Sequence, residues 1–333
     1  MDLFRLLKKL VTIESVSGNE QEVVAFVEGY LKRIGYHVML QEVKDGRRNI
    51  FAYIEEPHIV FTTHLDTVNP YLPFHEDTGY IYGRGSCDAK GVAAVQIKAA
   101  EELAGTGLKN IGLLFVVGEE WGSDGAAAAN TIPNSCQWFI NGEPTENTLV
   151  SGSKGAIRIK VEATGTAAHS AYPQQGDSAI LTLLHLLNKW ETMAFPCDDV
   201  LGDTTMNIGT IAGGVQANVI PDHAQAEIMF RTVVSFEKMK FMLEKDLPAN
   251  IHMEYQYTAD PVYMHTVDGF DSCVVSFATD VPVLSNWGRP LLLGPGSILD
   301  AHTDHEKVKK SDLVEAKDMY VKLAHILGEK NGM

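Results

Sequence analysis

Apolar and polar residues recur with two different periods along this chain, and the change from one to the other divides it. Val23, Val24, Val27, Tyr30, Leu31 and Ile34 follow one another at helical spacing. Ser17 with Glu20 reads as a capping box ahead of them and Gly35 as the stop, so a helix of about four turns is predicted. Three short, nearly continuous apolar runs come next, at 59–68, 111–118 and 138–141, and the alanine-rich stretch 89–104 between the first two suits a helix. Continuous apolar strands separated by helices predict a mostly parallel sheet covered on both faces.

From Gly155 the period changes to strict alternation, with Ala156, Ile157, Ile159 and Val161 in one strand. A helical run (Ala179, Ile180, Leu183, Leu184, Leu187, Trp190), strands at 204–211 and 218–233, a helix at 236–247 and a strand at 251–257 follow. The order β-α-β-β-α-β predicts a ferredoxin-like unit. After Pro261 the chain must return, because 311–328 reads as one more amphipathic helix, with Leu313, Tyr320, Leu323, Ile326 and Leu327 on one stripe. The expected fold is therefore α/β: a mostly parallel sheet domain covered by helices, residues 1–153 and 262–333, with an inserted ferredoxin-like α+β lid at 154–261.

Composition narrows the function. With 45% apolar residues among 333 the chain is an ordinary globular protein, and its formal charge of -16 gives no basic footprint for nucleic acid or an anionic membrane. Part of that acid could instead serve a bound cation. Cys87, Cys136, Cys197 and Cys273 are far apart and form no C-x-x-C pair, which points to reduced thiols in a cytoplasmic setting. Residues 1–11 predict an amphipathic helix, interrupted by Asp2, Arg5, Lys8 and Lys9, rather than a signal peptide, and no run has the length of a membrane span.

The chemistry lies where metal-capable side chains meet strand ends. His64 and Asp66 stand late in the first apolar run, Glu119 and Glu120 directly after the second, and Glu143 just after the third. Open parallel sheets bind ligands outside the carboxyl ends of their strands. An isolated His-x-Asp or Glu-Glu carries little weight, since most such residues are structural or solvated. Joint placement at three strand ends carries more, because carboxylates sharing one crevice are driven toward protonation unless a cation neutralises them. A dinuclear metal centre resolves the conflict.

The runs HLDTV (64–68), GRGSCDAKG (83–91), GEE (118–120), NGEP (141–144), GTAAHSAYP (165–173), NVIPD (218–222) and GPGSILDAHT (294–303) span almost the whole chain. Together they closely resemble the acetylornithine deacetylase, succinyl-diaminopimelate desuccinylase, aminoacylase and carboxypeptidase family of co-catalytic zinc hydrolases. The resemblance implies that Asp88 bridges two metal ions, with His64 and Glu143 completing one site and Glu120 and His302 the other. The donor set suits Zn2+, with Co2+ or Mn2+ as substitutes. Asp66 would orient the His64 ring. Glu119 would be the general base, taking a proton from a bridging water and returning it to the leaving nitrogen. His169 would reach a partner subunit's site and donate to the oxyanion, so the lid would also dimerise the protein. Asn218 and Arg231, both expected on the 218–233 strand, would hold the substrate's oxygen and α-carboxylate, and the loop with Gly294 and Gly296 would add N–H donors.

GPGSI is not a nucleophile elbow, so Ser297 is no serine-hydrolase candidate; Cys87 is given no role, and Lys307, Lys309 and Lys310 read as a solvated face. Glu143, rather than Asp at that position, resembles the carboxypeptidase and deacylase branch. The expected substrate is therefore a small N-acyl-L-amino acid, acetylornithine-like first, with a short peptide cut by a dipeptidase or carboxypeptidase as the alternative. A non-catalytic binding module of the same fold would have lost the base or a ligand, and Glu119, Asp88 and both histidines are present.

Overall fold

The computed structural model describes residues 1–329. The chain forms two compact units, one made of Met1–Ser151, Met264–Cys273 and the chain from Thr279 onward, the other of Gly152–Tyr263 and Val274–Ala278.

The first unit is built on a six-stranded sheet in the order His37–Lys44, Arg47–Tyr53, Ile111–Val116, Ile59–His64, Trp138–Asn141, Arg289–Leu292. The last four strands are parallel. Every residue of Ile59–His64, Ile111–Val116 and Trp138–Asn141 is buried, so both faces of this part are covered, as the apolar runs predict. The first two strands are an antiparallel hairpin joined antiparallel to Ile111–Val116. The apolar runs did not point to the hairpin, because His37–Lys44 has no buried residue. Four helices, Leu3–Thr12, Gln21–Arg33, Lys90–Gly105 and Lys310–Glu329, bury their apolar stripes in one core with the sheet, Leu10, Leu31, Val95 and Leu323 among them. Each such side chain contributes about 1.5–3 kcal/mol.

The predicted capping box does not form. Glu20 is the N-cap of Gln21–Arg33 and makes no side-chain cap, while the Ser17 hydroxyl donates to Asp66 Oδ2 at 2.7 Å. The helix starts at Gln21, so Ser17 lies ahead of the cap position, and its hydroxyl donates to the buried carboxylate instead.

The second unit has the predicted β-α-β-β-α-β order. Its four main strands pair antiparallel as Thr205–Gly213, His223–Thr232, Gly155–Thr164, Ile251–Ala259. Alternate residues of the two central strands are buried under helices Ala179–Glu191 and Phe236–Glu244, around Ile157, Ile159, Trp190 and Phe230. The strand expected at 218–233 begins only at His223, which leaves Asn218 in the preceding loop while Arg231 stays on the strand. Among the described residues, no helix is long and apolar enough to cross a membrane.

Candidate metal centre

Three parallel strands end at His64, Val116 and Asn141, and the residues that follow converge. The ligand atoms of His64, Asp88 and Glu143 lie within 4.8 Å of one another, and so do those of Asp88, Glu120 and His302. Asp88 belongs to both groups: its Oδ1 is 3.0 Å from His64 Nε2 and its Oδ2 is 3.2 Å from His302 Nε2. His302 Nε2 is also 2.9 Å from Glu120 Oε1.

His64 is held through its other nitrogen. Nδ1 donates to the main-chain oxygen of Asp66 at 3.0 Å, which directs Nε2 toward Asp88. The Asp66 carboxylate stands farther off, at 3.5 Å from Nδ1. It accepts instead the amide N–H groups of Glu119 and Glu120 at 3.1 and 3.2 Å, besides the Ser17 hydroxyl. One buried aspartate therefore ties the His64 strand to the turn Glu119–Trp121. That turn is also braced from behind, where Arg47 pairs with Asp124 and lies 3.6 Å from Glu20. Gly118, at φ 76°, makes room for the brace, since a Cβ there would overlap Asp124 and Arg47.

Negative charge dominates the cluster. Burial pushes the carboxyls of Glu119 and Glu143 well above the usual range, and neighbouring acids add to it against the pull of His64. Burial favours a neutral His64 ring, but its bonds to Asp66 and Asp88 outweigh that and hold its pKa well up. Bonds to Asp88 and Glu120 raise His302 to about 10.

Gly294 does not serve as a free donor, because its N–H is donated to Thr145 Oγ1 at 3.0 Å. The missing side chain matters instead, since a Cβ there would overlap the Glu143 carbonyl. Gly296, at φ 83°, would bring a Cβ within 2.6 Å of the Cys87 sulfur. His169, Asn218 and Arg231 belong to the second unit. There His169 and Val219 form a β-bridge, the Ser170 N–H donates to Asn218 O at 3.0 Å, and the exposed His169 ring accepts the Ala171 N–H at Nδ1. Arg231 lies on the partly exposed face of its strand.

A peptidase M20 domain-containing protein of Schizosaccharomyces pombe is 41% identical over 97% of this chain and 84% of its own. The chain belongs to the peptidase M20 family. It is accordingly an enzyme of the hydrolase class. A probable carboxypeptidase of Aspergillus flavus is 37% identical over 95% of this chain and 85% of its own. Residues 151–245 match the model of the peptidase dimerisation domain of M20 proteins. Among solved structures, a tripeptidase from Staphylococcus aureus shares the M20 fold with a TM-score of 0.79, 21% identity and 97% coverage of both chains. An M20 metallo-carboxypeptidase from Sulfolobus solfataricus does so with a TM-score of 0.70, 16% identity and coverage of 97% and 99%.

Three buried side chains at this M20 centre escaped the reading of the sequence. Arg84 and Glu306 pair at 2.8 Å beneath Asp88. Asp280, which burial raises to about 6, faces the same acids and has no hydrogen-bond partner for Oδ1 among the described residues. Glu306 stands four residues after His302 and Asp280 beside Val281, but nothing in those spacings distinguishes them from surface acids.

Proposed function

We propose that this M20 enzyme hydrolyses the amide bond of a short peptide or small N-acylated amino acid whose leaving amino acid carries a free α-carboxylate, with two divalent metal ions. The observation that carries the reading is the pair of donor groups sharing Asp88. Each offers one imidazole and two carboxylates, a mixture that fits Zn2+, with Co2+ or Mn2+ as substitutes, and the surrounding buried acids match a divalent charge. Ions bound there would polarise the scissile carbonyl and acidify the attacking water.

The protein's own groups do the rest. Glu119 holds no place in either donor group, and the charge of bound cations would offset the burial that raises its carboxyl, which leaves it free to act as the base. It takes one proton from the water as the water oxygen joins the carbonyl carbon, and delivers that proton to the nitrogen as the C–N bond breaks. Asp66 keeps Glu119 and Glu120 in register with His64 through the three bonds described. Arg231 offers a planar fork for the substrate carboxylate, with Asn218 holding an oxygen. We assign the lid at 154–261 to dimerisation, supported by the matched dimerisation domain, with His169 of the partner subunit donating to the oxyanion.

The two forms of the substrate differ in what precedes the amide. An N-acetyl-L-amino acid such as acetylornithine makes the protein a deacylase; a peptide makes it a carboxypeptidase or dipeptidase, the form suggested by relatives named probable carboxypeptidases. A hydrolysis screen of N-acetyl amino acids, dipeptides and N-blocked dipeptides, with zinc or cobalt restored to chelator-stripped protein, tests the proposal. Cleavage in one class with metal present is expected; equal activity in metal-free protein would overturn the mechanism. Mixing Glu119→Gln with His169→Ala protein tests the shared site. Random subunit exchange should restore roughly a quarter of wild-type activity, since half the dimers would be mixed, each with one intact site. Proven exchange without recovery defeats that assignment.

A further inference from the structure

The loop that carries Asp88 is held by a residue more than two hundred positions away. Glu306 Oε1 accepts the N–H groups of both Cys87 and Asp88, at 3.0 and 3.1 Å. Its Oε2 pairs with Arg84 Nη1 at 2.8 Å, and its main-chain oxygen accepts the Gly83 N–H at 3.1 Å. Arg84 extends the link in two directions. Nη1 also donates to Thr303 O at 3.2 Å, directly after His302, and Nε donates to Pro70 O at 3.0 Å, on the segment that leaves His64 and Asp66. Arg84 and Glu306 are each 1% exposed.

A buried ion pair is a poor way to gain stability, because desolvating both charges offsets most of their attraction; its attested use is to impose one geometry. Here both carboxylate oxygens of Glu306 are engaged, so it is not a spare metal donor. What the pair can do is fix Asp88 relative to the segments bearing His64 and His302. We propose that Arg84 and Glu306 are positioning residues that lock the shared ligand Asp88 against the His302 loop and thereby set the affinity of the metal pair, most of all that of the ion held by Asp88, Glu120 and His302. The proposal rests on the two-ion reading above. Groups that orient metal ligands typically alter affinity by about 10- to 100-fold when removed.

The test titrates chelator-stripped protein with Co2+, followed by its visible absorption, in wild type, Glu306→Gln, Arg84→Lys and the double variant Arg84→Met/Glu306→Gln. The double variant leaves no unpaired buried charge and serves if a single one fails to fold. Folding is checked by circular dichroism of the metal-free proteins. The expected result is a second Co2+ equivalent weakened at least ~10-fold in Glu306→Gln, a smaller loss for the first, and activity partly restored by excess metal with KM unchanged. A structural role alone would lower the melting temperature and leave both affinities as in wild type. Folded variants that bind two ions with wild-type affinity overturn the proposal while sparing the two-ion reading. A wild-type protein that binds fewer than two ions defeats that reading first, and this proposal with it.

Discussion

The two donor groups at Asp88 are unequal, although each has one histidine and two carboxylates. His64, Asp88 and Glu143 are all buried, whereas Glu120 is partly exposed and the His302 side chain is 50% exposed. The first group takes its histidine from the end of a central strand. The second takes its histidine from a loop position with φ 61°, a conformation few non-glycine residues adopt. A histidine on a strand is held more precisely than one on a loop. An ion held by His64, Asp88 and Glu143 should therefore be the harder to remove, and one held by Asp88, Glu120 and His302 the easier.

Asp88→Asn should have the largest effect. The shared ligand loses its charge, so both ions should be lost and turnover should fall at least ~1,000-fold, the equivalent of several kcal/mol of carbonyl polarisation. Metal analysis and initial rates report both. Glu119→Gln should lower turnover by at least ~100-fold while both ions stay bound, separating the base from the ligands. Retention of activity would put the base elsewhere.

The histidines sharpen the contrast. His64→Ala leaves a buried gap and strands the oxygen of Asp66, so the metal-free protein should lose about 1–3 kcal/mol of stability in urea unfolding. His302→Ala removes a half-exposed side chain and leaves no buried gap, so it should cost less than His64→Ala, yet should abolish the weaker metal equivalent. Similar losses for the two would mean that the groups do not differ as drawn.

The smallest effect is on protons. In the metal-free protein His302 is raised from 6.5 to about 10, so its bonds to Asp88 and Glu120 contribute stability that is full below pH 6.5 and is lost as pH rises through about 10. Coordination needs the neutral ring, so metal binding at pH 8 should release protons and tighten as pH rises. Calorimetry in two buffers of different ionisation enthalpy measures the release; a buffer-independent heat would contradict it.

Much of this architecture was legible in the residues. Nearly continuous apolar runs at 59–68, 111–118 and 138–141 suit strands buried on two faces, and the alternation from Gly155 suits strands buried on one. The motifs were long enough to name the family. Local pattern failed where a tertiary partner took over a group, as Asp66 did with Ser17 and Thr145 with the Gly294 N–H. It was silent on the hairpin His37–Lys44 and Arg47–Tyr53, whose first strand only half-buries its apolar residues.

Periodicity and residue type act over a few positions, so the residue pattern shows most of the elements, their order and the side chains available for metal chemistry, though not the first hairpin. Long-range closure of the chain sets which charged and polar groups meet. Arg84 with Glu306, Arg47 with Asp124, and Asp66 with the Glu119 turn pair residues separated by 222, 77 and 53 positions. No local rule constrains such pairs: a buried charge needs a partner, but which one it meets depends on how the whole chain closes.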